Sequence, residues 1–437
     1  MTNLAAVVMA AGQGTRMKSA TPKHLHPLLG KRLVDWVVDA ARDTGADPVV
    51  LVVSPTTAHL FDGVQVAIQS EPRGTGDAVR SARDAVRDAT DVLIVSGDHP
   101  LLTRDVLAPL VEQHRRNRPA ATLLSFDADD PREYGRIVRG ADGMLDRIVE
   151  VADATPDQLE IREVNPAMYV FTAEKLWPVL DRLEPQNAQG ELYLTDVVRL
   201  LRESGENVAV MKSDRSADLD GVNTREELAS AAAVLRARVN REHMLAGVTI
   251  VDPDATWIDP DVEIEADTTI HPFTVLRGKT RIETGAEVGP HVVAIDAEIG
   301  RDVSVGPFCY LRPGTRLEAG AKAGTFVELK NTHVGERTKV PHLSYLGDAE
   351  VGPDSNIAAG AITANFPHDG GGKLKTKIGR NVKTGIHNGF KAPVEIGDDA
   401  WIAGGSFITE DVPPESLAGF PPRQVTKEGY LRGKRDD

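Results

Sequence analysis

The sequence predicts a chain of two parts, an α/β domain followed by a β-solenoid, and three observations carry that prediction. Continuous apolar runs alternate with longer helical patterns over the first half. A segment of good helix formers follows, and beyond about residue 250 an aliphatic or small residue returns at every sixth position. With 437 residues there is room for two or three domains.

In the first half the runs are AAVVMAA (5–11), VVLVVS (49–54), VLIVSGD (92–98) and AATLLSF (120–126). Strands buried on both faces of a mostly parallel sheet read in this continuous way. Ligands then gather at their carboxyl ends, where the glycine loop after the first run and the SGD of the third both fall. The stretch TREELASAAAVLRARVNREHML (224–245) opens with Thr224 and has Glu227 three residues later, the pattern of a capped helix start. It is expected to connect a domain of residues 1–223 to one of residues 248–437, with 224–247 as the linker.

In the second half the repeat runs Ile264, Ile270, Leu276, Ile282, Val288, and then Val293, Ile299, Val305, Leu311, Leu317. The count is expected to slip by one at Val288 to Val293, at Leu329 to Val334 and at Leu346 to Val351. It resumes at Ile378, Thr384, Phe390, Ile396, Ile402 and Ile408. A period of six fits a triangular coil in which each side points one residue at the axis; a helix would need 3.6 and a sandwich strict alternation. Gly289-Pro290, Gly306-Pro307 and Gly397-Asp398 suit its corners.

Composition narrows the partners. The 50 basic and 65 acidic residues give a net charge of -15, and no Lys/Arg block is long enough to track a nucleic acid or an anionic membrane. Cys309 is the single cysteine, which rules out an intrachain disulfide and suits a reducing compartment. The apolar start lacks a basic flank and is far too short to span a bilayer, so a cytoplasmic chain without a targeting segment is expected.

The first chemical signal is the loop Ala10-Ala11-Gly12-Gln13-Gly14-Thr15-Arg16, with Pro22-Lys23 soon after. Glycines behind a strand let backbone N–H groups approach a phosphate, and Arg16 and Lys23 add fixed positive charge. Taken alone, the same residues also describe a tight turn carrying two solvated cations.

The pattern AAGxGTRM...PK resembles the signature of sugar-1-phosphate nucleotidylyltransferases. With QSEPRGTGDA, SGDHPL, YGRIV, IVEVADAT, REVNPAMYVF, NAQGELYLTDVV and GVNTREEL in order, and hexads behind them, the chain resembles one family over nearly its whole length. That family is the bifunctional bacterial N-acetylglucosamine-1-phosphate uridylyltransferases/glucosamine-1-phosphate N-acetyltransferases, which supply a precursor of the cell wall. The resemblance implies a Rossmann-like nucleotidyltransferase domain followed by a left-handed parallel β-helix. It implies UTP and N-acetylglucosamine 1-phosphate as substrates of the first domain, with Mg2+ held by Asp98 and Asn223. Ala10, Ala11, Gly12, Gln69, Gly74 and Thr75 correspond to the nucleotide pocket. Gly135, Glu150, Asn165 and Asn223 correspond to the sugar-phosphate site, toward which Thr75 also counts. In the mechanism so implied, the sugar phosphate attacks the α-phosphorus of UTP in line while Lys23 and Arg16 offset the charge of the transition state. Gln13 stands where some relatives have Lys.

For the second domain the resemblance implies acetyl-CoA as co-substrate and glucosamine 1-phosphate as acceptor. His342 corresponds to the general base, and Arg312, Lys330, Tyr345 and Asn356 to the acceptor site. Ala359, Asn365, Phe366, Ile386 and Gly404 correspond to the acetyl-CoA side, where the chain departs from its relatives. Phe366 replaces Tyr, Ile386 replaces Ser, Gly404 replaces Ala, and Pro421 falls near a CoA-contacting Arg. The family assembles as a homotrimer with acetyl-transfer sites between subunits. The alternative reading is a monofunctional nucleotidylyltransferase whose β-helix serves trimer assembly or takes a different acyl donor; a nonenzymatic binding protein on the same scaffold is a third.

Overall fold

The computed structural model describes residues 3–12, 14–367, 370–420, 424–428 and 430, so Gln13 and Pro421 lie outside the described residues. The chain divides into two compact units, Met1–Val234 and Leu235–Asp437. The division falls within the helix Arg225–Leu245. Thr224 Oγ1 accepts from the Glu227 backbone N at 3.2 Å and Glu227 Oε2 accepts from the Thr224 N at 2.9 Å, which closes the capping box. Among the described residues, no helix is long and apolar enough to cross a membrane.

The first unit is built on a ten-stranded mixed sheet. Its strands are β1 (Leu4–Met9), β2 (Val49–Val53), β3 (Gln65–Ile68), β4 (Asp91–Ser96), β5 (Ala121–Asp127), β6 (Gly135–Arg139), β7 (Leu145–Val149), β8 (Glu163–Asn165), β9 (Tyr169–Thr172) and β10 (Val208–Lys212). The order is β3-β2-β1-β4-β9-β5-β8-β6-β7, with β10 paired to β5. The half from β3 to β4 is parallel throughout, and β9 enters antiparallel to both β4 and β5. Strand β1 shows why its sequence is a solid apolar run. Ala5, Val7 and Met9 pack into one core cluster and Leu4, Ala6 and Val8 into another, so both faces of the sheet are covered. The carboxyl ends of β1 and β4 lie side by side, joined by Gly97 N donating to Met9 O at 2.8 Å. The glycine loop and Asp98 leave the sheet from this edge.

The second unit is a left-handed parallel β-helix of short strands stacked into sheets of six, nine and eight, with a three-stranded continuation of the first. Asn356 bridges Lys339 to Lys383 and so links that continuation to the six-stranded sheet. The axis column Ile258, Leu276, Ala294, Leu311, Leu329, Leu346 is buried throughout. Here the structure corrects the expected register. Ala294, not Val293, pairs with Leu276 and points inward, while Val293 is half-buried, so the short step falls between Ala294 and Ile299. Side-chain size misled the count, because a small residue can occupy the axis where a larger one sits beside it. The slips at Leu329 to Val334 and Leu346 to Val351 stand as expected, all four residues being buried.

Hydroxyls at the coil corners tie neighbouring turns together. Thr315 Oγ1 donates to Leu329 O at 3.1 Å, Thr332 Oγ1 to Leu346 O at 2.9 Å and Thr338 Oγ1 to Gly352 O at 2.6 Å. At another corner Phe273, His291, Phe308 and Phe326 stack ring on ring, with centroids 4.7, 4.8 and 5.1 Å apart.

Candidate active sites

In the first unit the glycine loop must seat a lysine. Gly14 has φ 61°, and a Cβ there would collide with Cβ of Lys23, so the turn and the cation are built as one piece. Lys23 begins a short helical turn, Lys23–Leu25, and is 8% exposed. A buried ammonium requires partners. Lys23 Nζ donates to Asp98 Oδ2 at 2.6 Å and to Asn223 Oδ1 at 3.0 Å, and Arg16 reaches the same Asn223 Oδ1 at 3.1 Å. Four residues from three distant parts of the sequence thus meet at one point. Asp98 also accepts from Ser96 Oγ at 2.6 Å and faces His99 Nδ1 at 2.8 Å. Burial alone would raise the Asp98 carboxyl, but the charges of Lys23 and His99 and their hydrogen bonds hold it well below the ordinary carboxylate range. Asn223 is fixed in turn by Glu227, whose Oε2 accepts from its backbone N at 2.7 Å.

Two cavities open from this point. One, of about 240 Å³, is lined by Thr75, Gly135, Glu150 and Asn165 together with Arg16, Asp98 and Asn223. Within it Thr195 Oγ1 donates to Glu150 Oε1 at 3.0 Å, and burial raises the Glu150 carboxyl against that bond. Asn165 Nδ2 donates to the Tyr169 hydroxyl at 2.6 Å, and the Thr75 hydroxyl accepts from Leu194 N at 2.9 Å. Tyr134 also lines this cavity, its phenol pushed up to about 12 by burial. The other cavity, of about 360 Å³, is lined by Ala11, Gly12, Gln69, Gly74 and Thr75 together with Lys23, Asp98 and Asn223. Gln69 Nε2 donates to Gly74 O at 3.0 Å and to Asp77 Oδ2 at 3.1 Å, which leaves its Oε1 as an acceptor. Ala10 lines a third cavity, of about 280 Å³, on the far side of the loop with Ala11, Gly12 and Gln69. The sequence-predicted residues of this unit therefore converge. Sequence reasoning missed Ser96, His99, Tyr134 and Thr195, and for His99 the signal was its place next to Asp98.

On the β-helix the predicted residues fall into columns, because parallel stacking places the same position of each coil above the last. Register pairs Thr325 with His342; backbone bonds from Gly360 N to His342 O, His387 N to Ala359 O and Gly405 N to Ile386 O continue the stack. His342, Ala359, Ile386 and Gly404 thus occupy successive rungs of one column. A second column holds Arg312 and Lys330, with Arg312 N bonded to Leu329 O at 2.8 Å and Lys330 paired with Gly347. Tyr345 lies beside Gly347, where a Cβ would collide with the Tyr345 hydroxyl. Arg312 pairs with Glu328 at 3.0 Å. His342 is exposed, and no described side chain bonds to its imidazole. Asn365 is buried and donates to Asp348, whereas Phe366 is 62% exposed under the Lys373 ammonium and Ile386 is 57% exposed. A groove of about 460 Å³ on the eight-stranded face, running from His333 to Pro414, takes in none of the predicted residues.

Comparison with known proteins adds to this geometry. Residues 6–208 match the family model of the MobA-like NTP transferase domain. Proteins named bifunctional protein GlmU are similar over nearly the full chain. That of Caldanaerobacter subterraneus is 42% identical over 99% of this chain and 98% of its own length. That of Streptomyces coelicolor is 45% identical over 99% and 94%, and that of Mycobacterium tuberculosis 44% over 99% and 92%.

Proposed function

The chain belongs to the bifunctional GlmU family, and from that premise we propose how its two sites act. It is an enzyme that transfers uridylyl from UTP to N-acetylglucosamine 1-phosphate, releasing pyrophosphate, and that acetylates glucosamine 1-phosphate with acetyl-CoA. The observation that carries our assignment of residues to the first reaction is the meeting of Lys23, Arg16, Asp98 and Asn223 where two cavities join.

We assign the larger of those two cavities to the nucleotide and the smaller to the sugar, so that their phosphates meet at Lys23 and Arg16. A phosphate oxygen of the sugar attacks the α-phosphorus while pyrophosphate leaves, and no protein nucleophile is needed. Lys23 and Arg16 stabilise the charge that accumulates at phosphorus. Gln69 Oε1 accepts from the uracil N3–H, while Glu150 and Asn165 take sugar hydroxyl and amide groups. The donor set also fits Mg2+. Asp98 Oδ2 and Asn223 Oδ1 are hard oxygens that converge on one cation, 2.6 and 3.0 Å from Lys23 Nζ. Among the described residues no cluster of three metal-binding side chains is present, so the remaining positions would fall to water and phosphate. When bound, the ion would neutralise phosphate charge.

On the β-helix, we assign the cations of Arg312 and Lys330, on adjacent rungs, to the sugar phosphate. His342 takes a proton from the sugar amine as its nitrogen bonds to the acetyl carbon and the CoA thiol leaves. Tyr345 and Asn356 orient the acceptor, while Ala359, Asn365, Phe366, Ile386 and Gly404 face acetyl-CoA. We further propose that the protein acts as a homotrimer in the cytoplasm. Pyrophosphate release from UTP that depends on the sugar phosphate tests the first site, and free thiol from acetyl-CoA that depends on glucosamine 1-phosphate tests the second. Absence of either contradicts that assignment.

A further inference from the structure

His24 follows Lys23 in the same helical turn and is 5% exposed. It lines both the larger cavity at Lys23 and the cavity behind the loop, and among the described residues the others the two share are Ala11, Gly12, Gln69 and Pro72. Those four surround the place assigned above to the nucleobase. Ala10, Leu25 and Phe61 line the second cavity with it, as do Ser19, Ser54 and Thr57. An imidazole thus sits on the wall of both cavities. A ring nitrogen that faces a cavity is placed to pair a polar group of a ligand bound in it. Burial, with Lys23 beside it, lowers its pKa to about 4, so it carries one N–H and no charge at neutral pH. His26, two residues on and equally buried, lines neither cavity although its Nε2 is buried without a partner, so cavity placement and not burial distinguishes His24.

The Watson–Crick edge of uracil presents acceptor, donor, acceptor. Gln69 Oε1 meets the central N3–H, so a flanking carbonyl still needs a donor. We propose that His24 is a further specificity-determining residue, whose imidazole N–H donates to the uracil O4 carbonyl next to N3. The inference rests on the uridylyl-transfer reading of this cleft. It makes UTP preferred over CTP, because cytosine lacks the N3 proton and presents an amino group at position 4.

Steady-state kinetics on the full chain, with UTP and CTP in turn, tests this. His24→Val should raise the KM for UTP about tenfold, the loss of one hydrogen bond, while kcat stays within about twofold. It should also narrow the UTP/CTP ratio of kcat/KM by a similar factor, leave the sugar-phosphate KM unchanged and keep the wild-type melting temperature. His24→Gln, which retains an N–H, should recover part of the preference. A UTP KM and a UTP/CTP ratio both unchanged in His24→Val would overturn the proposal. If His24→Val does not fold, His24→Gln against His24→Leu gives the same comparison, and equal nucleotide ratios overturn it. A wild type inactive with every nucleotide would instead sink the uridylyl-transfer reading itself.

Discussion

In the cleft of the first unit, Lys23 is buried and locked between Asp98 and Asn223, whereas on the β-helix His342 is exposed and no described side chain bonds to its imidazole. Both are assigned the handling of charge in their reactions. The first site is preorganised by long-range contacts, with Arg16, Lys23, Asp98 and Asn223 drawn from loops after β1, after β4 and before the last helix. The second is organised by repetition, each coil setting its residue above the previous one. A cleft of the first kind excludes water and fixes dipoles before substrate arrives. A column of the second kind leaves His342 and Ile386 exposed. The difference teaches that removal of one group should disrupt the cleft's whole network, while a column should lose only the rung that is changed.

The largest effect should come from Asp98→Ala, which removes the carboxylate that Lys23, Ser96 and His99 all face. Uridylyl transfer should fall by about a thousandfold or more, with acetyl transfer unchanged. Equal loss of both activities would mean that the two sites are not independent. His342→Ala should lower acetyl transfer by about a hundredfold or more and leave uridylyl transfer intact. Thiol release at the wild-type rate would remove His342 from the chemistry. Lys23→Ala should act mainly on kcat, by about a hundredfold, since its charge is most useful in the transition state. A change confined to KM would contradict that role.

Acid should also separate the units. His24 and His114 in the first unit are lowered to about 4 from the ordinary 6.5, in each case chiefly by burial. The unfolded chain takes up these protons near 6.5 and the folded one only near 4. Stability should therefore fall as pH drops through that window and be complete above it, by about 2–3 kcal/mol per histidine. In the second unit burial lowers His243. Calorimetry at pH 7.5 and pH 5 should show residues 1–234 melting earlier in acid, with a smaller change for the β-helix; parallel shifts would refute this. The smallest effect should be that of Phe308→Ala, at the centre of the stacked corner. Loss of its ring contacts should cost the β-helix about 1 kcal/mol, read as a modest drop in its melting temperature, and leave both activities alone.

Much of this was legible before the structure. The parallel strands around β1 and the capped helix start at Thr224 could be read because burial on both faces and capping leave local patterns. Less legible were the antiparallel strands Gly135–Arg139 and Leu145–Val149, where Arg136, Asp146 and Arg147 interrupt any apolar run. The hexads revealed the solenoid, yet Ala294 was overlooked because a small axis residue beside Val293 gives a weak signal. Resemblance located the cleft residues, but not that Lys23 itself joins Asp98 to Asn223, a contact spanning 200 residues. His24 escaped notice because its place on the wall of two cavities is set by packing.

The central claim is that one chain performs both steps. It is tested most directly by supplying the full-length protein with glucosamine 1-phosphate, acetyl-CoA, UTP and Mg2+ and following products by mass spectrometry. The account predicts that UDP-N-acetylglucosamine accumulates in the wild type. In Asp98→Ala the reaction should stop at N-acetylglucosamine 1-phosphate, and in His342→Ala it should proceed only when that intermediate is added. UDP-N-acetylglucosamine formed by the wild type only from added N-acetylglucosamine 1-phosphate would contradict the acetyl-transfer assignment, and none formed from either sugar would contradict the account of the cleft.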